Sequence, residues 1–266
     1  MALTIIQVDA FTNEPFKGNP AAICVTEQPL ADALMQSIAA EMNLSETAFL
    51  YPEADAYRLR WFTPLVEVDL CGHATLASAH VLWSEGYLSA DQTARFQTRS
   101  GWLMADKQDS WIEMNFPAQP VQASYVTPQL IASLCCQGNI SHVLKNDVNY
   151  LVELQNEAAV HSLKPDFDKL RSLPVQGVIA TALADSDAYD FVSRYFAPAA
   201  GINEDPVTGS AHASLGPYWG EKLDKSAMLA QQVSARGGQL KVRNERDRVY
   251  ISGQAVTVMR GTLADL

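Results

Sequence analysis

Cysteine is scarce in this chain, with four in 266 residues: Cys24, Cys71, Cys135 and Cys136. Their spacing matches no metal-binding pattern, and an adjacent pair such as Cys135 and Cys136 cannot close an unstrained disulfide on itself, so the sequence predicts reduced thiols in a cytoplasmic protein. Histidine is equally thin. Five residues with no His-Glu-x-x-His run and no His-x-His pair give no sequence support for a metal site, and none is expected. Basic charge is short as well: 19 Lys and Arg stand against 30 Asp and Glu, for a net charge of −11. Without a Lys/Arg cluster there is no stripe to neutralise phosphates, which argues against a nucleic-acid partner. No apolar stretch approaches the roughly 18 residues of a membrane span. The opening run Met1–Asp9 lacks the basic start and apolar centre of a secretion signal. A soluble globular chain remains, 48% hydrophobic and 18% charged. Its acidity reads as a solubility property, so an anionic substrate would need a local device and not a global field.

That device is written twice. The segments Asp69-Leu70-Cys71-Gly72-His73-Ala74-Thr75 and Glu204-Asp205-Pro206-Val207-Thr208-Gly209-Ser210-Ala211 are the two most turn-like glycine runs, and Gly209 minus Gly72 is 137. Their surroundings agree at nearly that offset: Trp61-Phe62-Thr63-Pro64 answers Tyr195-Phe196-Ala197-Pro198, and Arg99-Ser100-Gly101 answers Arg236-Gly237-Gly238. A period near half the chain length is too long for a solenoid and right for a duplicated domain. Pro117-Ala118-Gln119-Pro120 stops a strand and continues neither regular element, so domains of 1–117 and 121–266 are expected, the last strand being free to return to the first.

Local patterns fill in both halves. Leu30, Leu34, Ile38 and Met42 recur at helical spacing over Pro29 to Met42, ended by Asn43-Leu44-Ser45, and Gly72 to Glu85 forms a second helix. Alternating β-branched runs predict strands over Thr4 to Ala10, Ala21 to Thr26, Glu46 to Tyr51 and Tyr57 to Phe62, with a loop over Asn13 to Asn19. In the second half helices are expected over Pro128 to Cys136, Pro165 to Leu173 and Ser210 to Trp219, the last broken near Gly216-Pro217. A closing series of strands includes Gln231 to Ala235 and Ala255 to Thr262. Strands outnumber helices without regular β-α-β alternation, which speaks against a doubly wound parallel sheet.

Each glycine turn places unpaired backbone N–H groups and a positive dipole end at a helix start, a setting for an anion. For one isolated instance an ordinary N-cap by Thr or Ser is the simpler account of Thr208-Gly209-Ser210; the duplication favours function. Glu46, between Leu44 and Phe49, is either a solvated turn residue or a desolvated carboxyl whose pKa is raised toward neutrality. His73 is either a helix cap or a hydrogen-bonding group, and Asp205 either a turn residue before proline or a charged site residue. Asn19 divides between a polar contact and a turn role, and Cys71 between a small buried residue and a reactive thiol.

The ordered set of Asp9-Ala10-Phe11-Thr12 with Asn19-Pro20, Asn43-Leu44-Ser45-Glu46-Thr47-Ala48-Phe49, Gly72-His73-Ala74-Thr75 and Glu204 to Ala211 resembles the PhzF-like phenazine biosynthesis family over essentially the whole chain. The resemblance implies an α+β fold: two similar, pseudo-twofold related domains of the diaminopimelate epimerase type, each a mostly antiparallel barrel-like sheet around a central helix, with the active site between them. It implies a cofactor-independent isomerase acting on a small carboxylate such as the cyclohexadiene carboxylate of phenazine biosynthesis, and a homodimer. It assigns proton transfer to Glu46 with His73 and Asp205 assisting. Substrate binding falls to Asn19, Gly72, Gly209 and Ser210.

The repeat also carries a negative. Two-base racemases of this fold use a cysteine before the turn glycine in each half; here Cys71 stands in the first and Thr208 in the second. A threonine hydroxyl is far too weak an acid to replace a thiolate near neutral pH. The expected reaction is therefore a one-base proton shift. An epimerase using Cys71 with Glu46, or a metabolite-binding protein without turnover, are the alternatives.

Overall fold

The computed structural model describes residues 3–136 and 138–264. They divide into two compact units, one running to Asn115 and resuming at Ser252, the other covering Phe116–Ile251. Among the described residues no helix is long and apolar enough to cross a membrane.

The first unit opens with β1 (Leu3–Ala10) and β2 (Asn19–Val25), an antiparallel pair. Helix α1 (Asp32–Met42) follows, then β3 (Glu46–Glu53), β4 (Ala56–Phe62) and the short β5 (Glu67–Val68). Helix α2 (Gly72–Ser84) leads to β6 (Ala94–Thr98), β7 (Gly101–Gln108) and β8 (Trp111–Pro117). The pairing is antiparallel except where a helix intervenes: β2 lies parallel to β3 across α1, and β4 parallel to β6 across α2. A tight turn reverses direction, so parallel neighbours require such a crossover. Helix α1 has the anticipated apolar stripe: Met35, Ile38 and Ala39 are buried, with Leu30, Leu34 and Met42 packed beside them. It ends at Asn43, a left-handed residue whose N–H returns to the Ala39 carbonyl.

Helix α2 differs in kind. Every residue from His73 to Ala79 is buried, as are Val81, Leu82 and Trp83, so it has almost no polar face and must lie inside the sheet. It packs on β1, β2 and β3. Each fully buried Leu or Val there contributes about 1.5–3 kcal/mol.

The second unit repeats the scheme. The short β9 (Gln122–Ala123) and α3 (Pro128–Leu134) precede β10 (Ile140–Lys145) and β11 (Asn149–Leu154). Helices α4 (Glu157–Ser162) and α5 (Phe167–Arg171) lead to β12 (Gly177–Leu183), β13 (Phe191–Ala197) and β14 (Ile202–Asp205). Then come α6 (Gly209–Leu223), β15 (Ala227–Gln232), β16 (Gly238–Glu245) and β17 (Arg248–Gly253). Again the parallel pairs, β11 with β12 and β13 with β15, enclose helices. The final strand β18 (Ala255–Leu263) pairs antiparallel with β1. In chain order the first unit's strands from β1 to β7 and the second's from β10 to β16 follow the same sequence of antiparallel and parallel pairings.

Three local expectations need correction. Helix α6 is not broken at Gly216-Pro217 but runs through to Leu223. Pro217 supplies no N–H for the Ala213 carbonyl four residues earlier, and that carbonyl instead accepts the Gln119 N–H at 2.9 Å. The Gly216 carbonyl accepts Asn244 Nδ2 at 2.8 Å, an approach that a side chain on Gly216 would obstruct, since its Cβ would stand 2.7 Å from Asn244 Oδ1. The strand expected at Gln231 to Ala235 lies earlier, at Ala227–Gln232, set by its register on β16. Asn19 is the first residue of β2 and not the end of the preceding loop.

Candidate active site

In the first unit, Glu46 begins β3 opposite Ala21 of β2, and its side chain is only 10% exposed. This is the desolvated alternative and not the solvated turn. His73 is the second residue of α2, with its Nε2 3.2 Å from Glu46 Oε2 and its Nδ1 3.4 Å from Cys71 Sγ. Burial pushes the His73 pKa down to about 3, so the imidazole is neutral at pH 7. A neutral ring has one donor and one acceptor nitrogen. Nδ1 pairs with the Cys71 thiol, whereas the approach of Nε2 to Glu46 Oε2 lacks hydrogen-bond geometry.

His73 is not the N-cap residue of α2. Cys71 is the N-cap and makes no side-chain cap bond, and its carbonyl is held by the Thr75 N–H at 3.1 Å and the Thr75 hydroxyl at 2.6 Å. Asn19 is fully buried across from Ala10. The loop before it is shaped by Gly18, at φ +62°, where a Cβ would sit 2.2 Å from the Ala10 carbonyl oxygen. Asp9, buried on β1, accepts the Phe16 N–H at 2.7 Å and ties that loop down.

In the second unit the corresponding turn joins β14 to α6. Asp205 is buried, and its Oδ2 accepts the Thr208 hydroxyl at 2.5 Å. Thr208 is the N-cap residue yet makes no cap bond with its side chain, which excludes the ordinary Thr cap at this helix. Helices α3, α4 and α5 show the contrast, because Thr127, Asn156 and Asp166 each cap their own first turn. The Thr208 carbonyl is held by His212 Nδ1 at 2.8 Å, the duty Thr75 performs in the first unit. Gly209 is buried and Ser210 half-buried in the first turn of α6. Gln232 on β15 clamps the turn, its Nε2 donating to the Asp205 carbonyl at 2.7 Å and its Oε1 accepting the Thr208 N–H at 2.9 Å.

Comparison with known proteins bears on all of this. Residues 8–261 match the family model described as phenazine biosynthesis-like protein, PhzC-PhzF. The chain belongs to that family. An uncharacterized isomerase of Halalkalibacterium halodurans is 53% identical over 264 residues, covering 99% of each chain. The crystal structure of a PhzF-family phenazine biosynthesis protein from Enterococcus faecalis superposes with a TM-score of 0.95 at 44% identity, over 99% of this chain and 100% of that one. At the level of fold alone, a probable proline racemase from Agrobacterium radiobacter superposes with a TM-score of 0.63 at 11% identity, over 98% of this chain and 93% of that one. The mixed, mostly antiparallel architecture is thus that of the PhzF and proline racemase-like folds of the diaminopimelate epimerase type.

Within this PhzF-family chain, no sequence pattern points to Gln232 or His212, and Asp9 stands in a family motif that gives it no role. Gln232 carries no signal, since it is one glutamine of two in a polar-looking run and its partners lie 24 and 27 residues away.

The two buried histidines also make the protein acid-sensitive. Desolvation depresses His73 to about 3 and His212 to about 4, the latter against the opposing hydrogen bond that its ring donates to the Thr208 carbonyl. Both unfold to ordinary imidazoles with pKa about 6.5. The unfolded chain therefore binds more protons between about pH 6.5 and 4, and their stabilising contribution, complete above that window, is lost as pH falls through it. Each ring contributes about 1.4 kcal/mol of loss per pH unit. Urea midpoints measured between pH 7 and 5 should drop accordingly, and His212→Asn should flatten the slope; an unchanged slope would contradict the neutral assignment.

Proposed function

We propose that this chain is an isomerase that moves a proton between two carbons of a small carboxylate-bearing substrate, with Glu46 as the single acid/base group. The observation that carries the reading is the buried Glu46 carboxyl 3.2 Å from the neutral His73 ring at the start of a helix whose N-cap residue, Cys71, makes no side-chain cap bond. Isomerase is also the name given to relatives at 49–53% identity. Glu46 would remove a proton from one carbon, hold it as the carboxylic acid, and return it to another, so that no proton is lost or gained overall. The negative charge that develops between the two steps is stabilised by preorganised N–H donors, assigned to Gly72 and His73 at the start of α2. To Gly209 and Ser210 we assign the substrate carboxylate, to Asp205 its orientation, and to Asn19 a polar contact. The Thr208 hydroxyl, donated to Asp205, supports a one-base mechanism, since its proton is already committed.

The same reading takes the protein as a cytoplasmic homodimer that needs no cofactor. Its substrate class is an unsaturated ring carboxylate of the cyclohexadiene type. The test is incubation with a panel of such acids in deuterated water. Deuterium should enter at one carbon as the double bond moves. Tight binding of one acid with no exchange across the panel would replace the enzyme with a metabolite-binding protein.

The position of Cys71 Sγ, 3.4 Å from His73 Nδ1, favours one second reading, an epimerase using Cys71 with Glu46. The products separate the two. Inversion at a single carbon with the double bonds unmoved would establish the epimerase, whereas migration between carbons would exclude it.

A further inference from the structure

Glu46, Cys71 and His73 are three different donor types, all buried, with one ligand atom from each lying within 4.8 Å of the others. The proton shift engages Glu46 and His73 but gives the Cys71 thiol no task. Viewed as a donor set, the cluster offers one sulfur, one nitrogen and one oxygen. Three protein ligands of this kind with a fourth position open are the arrangement zinc adopts in accessible sites. The distances bear on which nitrogen can serve. Nε2 of His73 lies 3.2 Å from Glu46 Oε2 and 4.0 Å from Cys71 Sγ. Around a tetrahedral ion with bonds of about 2.3 Å to sulfur and about 2.0 Å to nitrogen and oxygen, donor atoms stand roughly 3.3–3.6 Å apart. The oxygen and nitrogen are therefore already placed, and the sulfur needs to close by about 0.5 Å on the nitrogen and, from the 4.8 Å limit of the cluster, by up to about 1.3 Å on the oxygen, which a turn of the cysteine side chain supplies.

We propose that Glu46, Cys71 and His73 form a binding site for a zinc-class divalent cation, and that the ion, when bound, shuts off proton transfer by occupying the Glu46 carboxylate. The blocking half rests on the reading of Glu46 as the acid/base group; the binding half does not. The thiol releases its proton to solvent as the thiolate takes the ion, and the carboxylate and imidazole contribute lone pairs, so no oxidant or reductant is involved. A thiolate and an imidazole select zinc or cobalt over magnesium and calcium, which take all-oxygen sets. No pattern in the sequence announces the site, because Glu46 comes from β3 and the other two ligands from the start of α2.

The test uses the full chain and Co²⁺ as a spectroscopic stand-in for Zn²⁺. One equivalent of Co²⁺ should produce the near-ultraviolet thiolate-to-metal charge-transfer band together with visible bands of tetrahedral intensity, displaced by Zn²⁺ and unaffected by excess Mg²⁺. Cys71→Ser, which preserves volume and hydrogen bonding, should lose the charge-transfer band, and Glu46→Gln should weaken binding by at least about tenfold. Thermal melts of both variants without metal verify that they are folded. Zn²⁺ should stop substrate hydrogen exchange in the wild-type protein, and a chelator should restore it. Absence of the band at one equivalent, or its persistence in folded Cys71→Ser, would overturn the site. Undiminished exchange with the band fully developed would overturn the blocking role. If Glu46→Gln retained full exchange, the functional reading would fall while the spectrum still decided the site, so the two failures are distinct.

Discussion

Glu46→Gln should abolish the exchange of substrate hydrogen with deuterated solvent, lowering turnover by about 10²–10⁴-fold while leaving ligand binding nearly intact. The amide is nearly isosteric with the carboxyl, so it keeps the packing at the start of β3 and still presents an oxygen toward His73 Nε2, now 3.2 Å from Glu46 Oε2. What it loses is the ability to accept a proton from carbon. The kinetic signature follows from that distinction: removing a group that acts only in the transition state lowers kcat and kcat/KM together and leaves KM nearly unchanged. Isothermal titration of a substrate acid into the variant should return a dissociation constant near that of wild type. Full exchange in the variant would remove Glu46 as the base. A loss of binding equal to the loss of rate would instead assign it to holding the substrate.

Gln232→Leu should destabilise the protein by about 2–6 kcal/mol, because two buried backbone groups lose their partners at once. Gln232 is fully buried, and its amide satisfies both the Asp205 carbonyl and the Thr208 N–H. Leucine has comparable volume, so little of the loss would come from packing. Each stranded polar group costs about 1–3 kcal/mol, against a total stability of about 5–15 kcal/mol for a typical domain. Chemical denaturation should show the lower midpoint, and substrate affinity should fall with it if, as proposed, the clamped turn carrying Asp205, Gly209 and Ser210 holds the substrate. A change below about 0.5 kcal/mol, the range of ordinary surface substitutions, would show that water or a shifted backbone replaces the clamp.

The corrections show where local pattern stops being sufficient. The helix expected to break at Pro217 continues because Gln119, about a hundred residues earlier, supplies the missing donor to the Ala213 carbonyl. Nothing within the helix could have revealed that partner. Thr208-Gly209-Ser210 likewise fits an N-cap in sequence, and only the buried Asp205 beside it shows where the hydroxyl goes. By contrast, α1, the stop at Asn43 and the strand pair at Glu46 and Tyr57 follow from residues a few positions apart, and lie where periodicity places them.

The chain's own order of residues determines the duplication, the two glycine turns, the difference between Cys-Gly-His and Thr-Gly-Ser, and the family. These are properties of neighbouring residues, and neighbours are what a sequence records. Tertiary structure alone decides that Glu46 meets His73 across 27 residues, that Cys71 completes a three-donor cluster with them, and that Gln232 holds the Asp205 turn from a separate strand. Those contacts arise because the buried α2 packs on β3 and because β15 lies parallel to β13 across α6, which brings together segments whose separation along the chain carries no trace of it.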